Sequence, residues 1–220
     1  MPEPTPIEPS ERLLQLVEEQ DSDALQAFLE RLAPADTARA ISRLDDEGRS
    51  RLITMLEPED AADLLEELHD LQGVDILEDL PAAKAALIFE EMESDERADL
   101  LAEMDPENME AILARMDPEE AADARELLEY DPHTAGGIMI TEFVSYPASM
   151  TVGEVLGDFR SNAEVYSYYR VQYAYVSAET GTLVGVLVLR DLLLSPSQKP
   201  VREVMIPNPV AVRDEMDVDE

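Results

Sequence analysis

The chain has 220 residues, with 51 acids against 16 bases, a formal charge of −35, no cysteine and no tryptophan. That balance excludes nucleic acid as a partner, because phosphates would be repelled, and the missing thiols exclude disulfides, thiolate metal sites and cysteine nucleophiles. Hydrophobic residues at 45% still allow a core of Leu, Ala, Met, Val and Ile, a composition that leans towards helix.

The opening MPEPTPIEPSE has neither the basic start nor the apolar stretch of a signal peptide. Residues 1–9 read as a polar, proline-rich disordered tail. The longest apolar run, Leu183 to Leu189, is far short of the roughly 20 residues a spanning helix needs, so the chain itself reads as soluble. The acids have two readings: a solubility surface, or carboxylates gathered to hold hard cations, since magnesium and calcium take oxygen ligands.

From about Ser10 to Tyr130 the sequence is helical and repetitive. Leu56-Glu57-Pro58-Glu59-Asp60-Ala61-Ala62 states a theme that Met116-Asp117-Pro118-Glu119-Glu120-Ala121-Ala122 repeats. Breaks at Pro34, Asp46, Pro58, Asp70, Pro81, Ser94, Pro106 and Pro118 come close to every twelve residues. Asp105 and Asp117 are placed to cap a helix whose first residue is proline, where no N–H is needed. Asp117 and Glu120 have capping-box spacing. Helices this short cannot stand alone in water, so the units must stack and share a core as a solenoid.

The character changes at Asp131. Thr151 and Glu154 are in capping-box register at a helix start. Tyr173 to Val176 reads as a strand, Glu179-Thr180-Gly181 as a turn, and Leu183 to Leu189 as a buried strand leading into a helix at Arg190. Pro200 to Met205 is expected to open another helix, and Pro209 to Val212 to form a short strand. The reading over 131–220 is α+β.

Gly181-Thr182-Leu183-Val184-Gly185-Val186-Leu187 followed by Arg190-Asp191-Leu192 resembles the end of a CBS motif, and Val201 to Met205 with Pro209 to Val212 resembles the opening of a second. The junction Tyr130-Asp131-Pro132-His133-Thr134-Ala135-Gly136-Gly137-Ile138-Met139 resembles the signature that joins the N domain of MgtE-type magnesium transporters to their first CBS motif. The resemblance implies a mostly α chain: a right-handed superhelical solenoid of short helices over 10–130, then an α+β CBS domain with a first motif over 131–200 and a truncated second over 201–220, an incomplete CBS pair. It implies a regulatory region on the cytoplasmic side of the inner membrane, a homodimer through the CBS region, and a transmembrane pore in the full-length protein. In that family magnesium bridges the N and CBS domains and closes the pore.

The ligands implied by matching segments are Asp63, Asp95, Asp99, Gly137 through its backbone carbonyl, Asp217 and Asp219, with Mg2+ as the ion. Asp95 and Asp99 are four apart and so share a helical face. CBS pairs often bind adenine nucleotides through a Ser or Thr three residues before the Asp of the last helix. Here that position is Val188, ahead of Asp191, which makes a nucleotide ligand unlikely. No catalytic constellation is present: the two histidines, His69 and His133, lie beside no nucleophile motif, and no phosphate-cradling glycine loop follows a strand. The chain is therefore not expected to be an enzyme. The rival to ion sensing is a stand-alone solenoid and CBS scaffold without ion transport.

Overall fold

The computed structural model describes residues 8–219 except 67, 69, 168 and 170; the side chains at 34, 70 and 71 also fall outside it. The expected tail lies outside the described residues as far as residue 7, and so does His69. The chain divides into two compact units, one ending at His133 and the other beginning at Thr134.

The first unit is a stack of short helices: α1 (Pro9–Glu19), α2 (Ser22–Leu29), α3 (Pro34–Ile41), α4 (Asp46–Met55), α5 (Pro58–Glu66), α6 (Asp70–Glu78), α7 (Ala82–Glu91), α8 (Ser94–Glu103), α9 (Pro106–Leu113) and α10 (Pro118–Leu127). Each starts where a proline or an acid allows it. Asp45 accepts from the Gly48 N–H at 2.9 Å, and Asp105 and Asp117 accept from Glu107 and Glu119, also at 2.9 Å. Alternate helices pack together, α5 on α7, α6 on α8, α7 on α9 and α8 on α10. One apolar cluster runs from Leu13 to Ala124, with Phe89, Leu65, Ile76 and Leu101 among its buried members.

Two tertiary ties depart from the local pattern. The expected Asp117–Glu120 capping box does not form. The Asp117 N–H donates instead to Glu90 Oε1 at 2.5 Å, which leaves Glu120 to pair with the buried guanidinium of Arg97, joining α8 to α10. Lys84 Nζ donates to the carbonyl of Leu56, just past the end of α4, at 3.0 Å.

The second unit has a four-stranded sheet in the order β1 (Ser145–Pro147), β2 (Tyr173–Ser177), β3 (Leu183–Val188), β4 (Ile206–Pro207). β1 is parallel to β2; the other pairs are antiparallel. Helices α11 (Val152–Ser161), α12 (Ala163–Tyr166) and α13 (Leu189–Leu194) complete it. The Thr151–Glu154 capping box is present. Asp158 on α11 binds three side chains: Tyr146 Oη and Tyr166 Oη both donate to its Oδ2, at 2.7 and 2.9 Å, and Asn162 Nδ2 donates to Oδ1 at 2.8 Å. One carboxylate thus ties β1, α11 and α12 together.

Three expectations here are corrected. β3 is not buried on both faces: Gly185 and Leu187 are buried but Leu183 is exposed, and in β2 Ala174 and Val176 point inward while Tyr173 and Tyr175 do not. The second opening helix shrinks to a 3-10 turn over Val201–Glu203. The strand falls at Ile206–Pro207, paired with Gly185 and Val186, and not at 209–212. Asn208 follows with φ of 52°, a left-handed conformation that turns the chain off the sheet. The β3–β4 approach favours the glycine, since a Cβ on Gly185 would lie 3.0 Å from the Ile206 carbonyl oxygen and would push the Met205 side chain aside.

Phe89 is fully buried in the solenoid core. Phe89→Ala is expected to destabilise the first unit by about 3–5 kcal/mol, read from denaturant unfolding. A cost under about 1 kcal/mol would contradict a shared core at this position.

Candidate metal centre

Asp63 is exposed near the end of α5. Asp95 is partly buried in the first turn of α8, with Oδ1 accepting from the Glu96 N–H at 3.0 Å, and Asp99 is exposed one turn later. The helix between them is anchored by Arg97, which faces inward to Glu120. Asp95 and Asp99 therefore stand on the side of α8 away from the core, four residues apart.

Glu66 connects the two helices. Its Oε1 accepts from the backbone N–H of Glu93, the residue just before α8, at 3.3 Å. Partial burial raises its carboxyl above the ordinary glutamate value; the Glu93 N–H bond opposes that shift, and the carboxylates of Glu93, Asp63 and Glu96 reinforce it. Withdrawal from water is thus the main reason the charged form is disfavoured here, with the neighbouring carboxylates adding to it.

In the second unit the junction turn is pinned by the last described segment. The Ala135 N–H donates to the Met216 carbonyl at 2.7 Å, the Gly136 N–H to the Asp214 carbonyl at 2.8 Å, and Thr134 pairs with Asp217 in an antiparallel bridge. Gly137 lies in this turn, its N–H donating to the Thr134 carbonyl at 3.0 Å. Asp217 Oδ1 accepts from the Asp219 N–H at 2.9 Å, and both acids are exposed. Within this unit Thr134, three residues before Gly137, pairs with Asp217, and within the other the Glu66–Glu93 bond joins the helix of Asp63 to that of Asp95 and Asp99.

Among the described residues no three His, Asp or Glu groups converge tightly enough to enclose an ion. The donor set suits a hard cation that keeps most of its waters, as magnesium does when one or two carboxylates bind it. It does not suit a dry cage. Sequence reasoning missed Glu66 and Arg97. Glu66 had a visible signal: with Glu78 and Glu90 it recurs at the twelve-residue step of the repeat.

The second unit also carries a cavity of about 580 Å³, lined by Met139, Phe143, Val171, Tyr173, Tyr175 and Leu183 among others. Phe143 meets Tyr175 edge to face, with ring centroids 5.8 Å apart. Val188, at the start of α13, offers no capping hydrogen bond there.

The family model for the MgtE intracellular N domain matches residues 32–133, and that for the CBS domain matches 135–197. The magnesium transporter MgtE of Thermus thermophilus is 39% identical over 99 residues, 45% of this chain and 22% of that protein. The Enterococcus faecalis magnesium transporter MgtE is 36% identical over 86 residues, 39% of this chain and 18% of that protein. The matched stretch thus spans about a fifth of these relatives. A crystal structure of the cytosolic domain of the Mg2+ channel MgtE in complex with ATP superposes with a TM-score of 0.82 at 32% identity, covering 94% of this chain and 84% of that one. The soluble part of a magnesium transporter gives 0.78 at 28%, covering 96% and 82%. Among the described residues no helix is long and apolar enough to cross a membrane.

Because its carboxyl is raised, the folded chain holds the Glu66 proton more tightly than the unfolded chain does. This contribution favours folding at acid pH and is lost as pH rises through the folded value. Glu66→Gln is therefore expected to melt above the wild type at neutral pH, with the gap closing as pH falls below the ordinary glutamate range. Thermal melts across pH read this directly, and a gap that widened in acid would contradict the assignment.

Proposed function

From the premise that the chain belongs to the MgtE family, an MgtE intracellular N domain followed by a CBS domain, we propose that it is the magnesium-sensing, regulatory cytosolic region of a magnesium transporter. In this reading Mg2+ bridges the acids of the solenoid and the CBS unit and favours a compact state that closes the pore of the full-length protein. The full-length protein sits in the membrane with this region on the cytoplasmic side. The observation that carries the reading is the α5–α8 step, where the bond from the Glu93 N–H to Glu66 joins the helix of Asp63 to the helix of Asp95 and Asp99.

The residues divide the work. Asp63, Asp95 and Asp99 offer carboxylate oxygens on the solenoid, and Gly137, Asp217 and Asp219 offer a carbonyl and two carboxylates on the CBS unit. Monovalent salt screens surface charge over about 8 Å at physiological strength but does not bridge carboxylates at contact. A homodimer through the CBS unit belongs to the same reading and would cover Leu193 and Leu194, which are 68% and 79% exposed on α13.

Millimolar magnesium is expected to compact the chain and raise its melting temperature more than sodium chloride of equal ionic strength, because it binds the closed state preferentially. Asp95→Asn with Asp99→Asn should blunt that difference at unchanged helical content. Small-angle scattering with thermal melts makes the comparison and also reads the mass; a monomer at every magnesium level removes the dimer. Identical responses to the two salts would leave the acids as a solubility surface on a scaffold.

Nucleotide is the second ligand to test, because the 32% identical neighbour was crystallised with ATP and the aromatic-walled cavity lies in the same unit. Val188 presents methyl groups where a hydroxyl would meet the ribose or phosphate. ATP and AMP are accordingly expected to bind weakly or not at all. Calorimetry giving a micromolar Kd would overturn this, and Val188→Thr would then be the informative comparison.

A further inference from the structure

Three backbone-to-side-chain bonds in the solenoid have the same form. Glu66 Oε1 accepts from the Glu93 N–H at 3.3 Å, Glu78 Oε1 from the Asp105 N–H at 2.7 Å, and Glu90 Oε1 from the Asp117 N–H at 2.5 Å. Every pair is 27 residues apart. Each glutamate stands at the C-terminal end of its helix, and each donor is the residue at the N-cap position of the helix three further on. An acid at a helix C-terminus is unfavourable by itself, because it adds to the negative end of the dipole. Here each carboxylate meets the positive start of another helix, which reverses the sign of that interaction.

The three rungs differ in their surroundings. Glu78 joins α6 to α9 and Glu90 joins α7 to α10, and neither pair of helices carries an implied ligand. Glu66 joins α5 to α8, which carry all three. Asp63 stands one turn before Glu66, and Asp95 stands two residues after the Glu93 donor. We propose that Glu66 is the positioning residue of the magnesium site, holding the Asp63 turn of α5 against the Asp95 turn of α8 so that one hydrated divalent cation can be shared by both. The proposal rests on the magnesium-sensing reading above and names the contact that regulates it. Glu66 acts through the Glu93 N–H and need not touch the ion. The other two rungs are built-in controls, since they make the same bond away from the site.

The test uses the full chain, magnesium chloride as probe, and three variants: Glu66→Ala, Glu78→Ala and Glu66→Gln. Thermal melts without magnesium read the structural cost, and the magnesium midpoint of compaction reads the site. Both alanine variants should lose comparable stability. Only Glu66→Ala should weaken the midpoint, by about tenfold, the low end of what losing a ligand's supporting hydrogen bond costs a metal site. Glu66→Gln keeps an acceptor oxygen for the Glu93 N–H and should restore most of the midpoint despite the lost charge. Equal midpoint shifts in Glu66→Ala and Glu78→Ala would reduce Glu66 to a structural rung. A Glu66→Gln midpoint as poor as that of Glu66→Ala would show that the carboxylate acts by its charge on the ion, which also overturns positioning. A wild-type chain that answers magnesium and sodium alike sinks the sensing reading itself, so the two failures are told apart by the wild-type arm.

Discussion

Helices of eight to eleven residues are below the length at which an isolated helix holds in water, and the rest of this molecule depends on that. Each helix of the first unit exists because its neighbours bury one of its faces, and the burial passes from each helix to the next but one. A single apolar cluster from Leu13 to Ala124 is the result. Polar ties are added where the apolar contacts leave backbone groups unmet. The caps by Asp45, Asp105 and Asp117 serve the helix starts, and the glutamate rungs serve the residues just before three of them.

Stacking on that period has an electrostatic consequence. Acids are favoured at helix starts by the dipole, and a repeat with a start about every twelve residues collects them in proportion. Bases are too few to answer them, 16 against 51, and Arg97, the one buried base among the described residues of the solenoid, is committed to Glu120 inside the stack. At most surface positions water and salt absorb the excess at little cost. At the α5–α8 step they do so less completely, because Glu66 is partly withdrawn from water beside three other carboxylates.

Much of this was legible in the sequence because it is local. Proline at a first helical position, aspartate before it, and the Thr151–Glu154 box follow from spacings of three residues or fewer, and they form as spelled. The Asp117–Glu120 box has the same local grammar and does not form, because Glu90 reaches the same N–H from 27 residues away. Sequence spacing shows that a bond can form, not that a distant residue will take the donor first. The strand expected at 209–212 failed for a similar reason. Val210 and Val212 have strand propensity, but Ile206 and Pro207 take the β3 edge and Asn208 turns the chain away. Of the implied ligands, spacing could put Asp95 and Asp99 on one helical face. The Glu66–Glu93 bond that joins the helix of Asp63 to the helix of that face, and the bridge that sets Thr134 against Asp217, are tertiary facts with no local signature.

The glutamate rungs lie between these two cases. Their partners are far apart in sequence, yet their period is the repeat itself, so the repeat carries information about tertiary bonds as well as about helices. A solenoid repeats its contacts because it repeats its sequence, and a side chain recurring at that step in one helix role marks a recurring contact. Where all copies have the same surroundings the contact is structural. Where one copy sits among groups the others lack, as Glu66 sits with Asp63 and the Asp95 turn, the same bond acquires a second consequence: any ligand that gathers those groups also loads or relieves that rung. The stability of the stack and the occupancy of the acidic face are then linked through one carboxylate, and by linkage each must change the other.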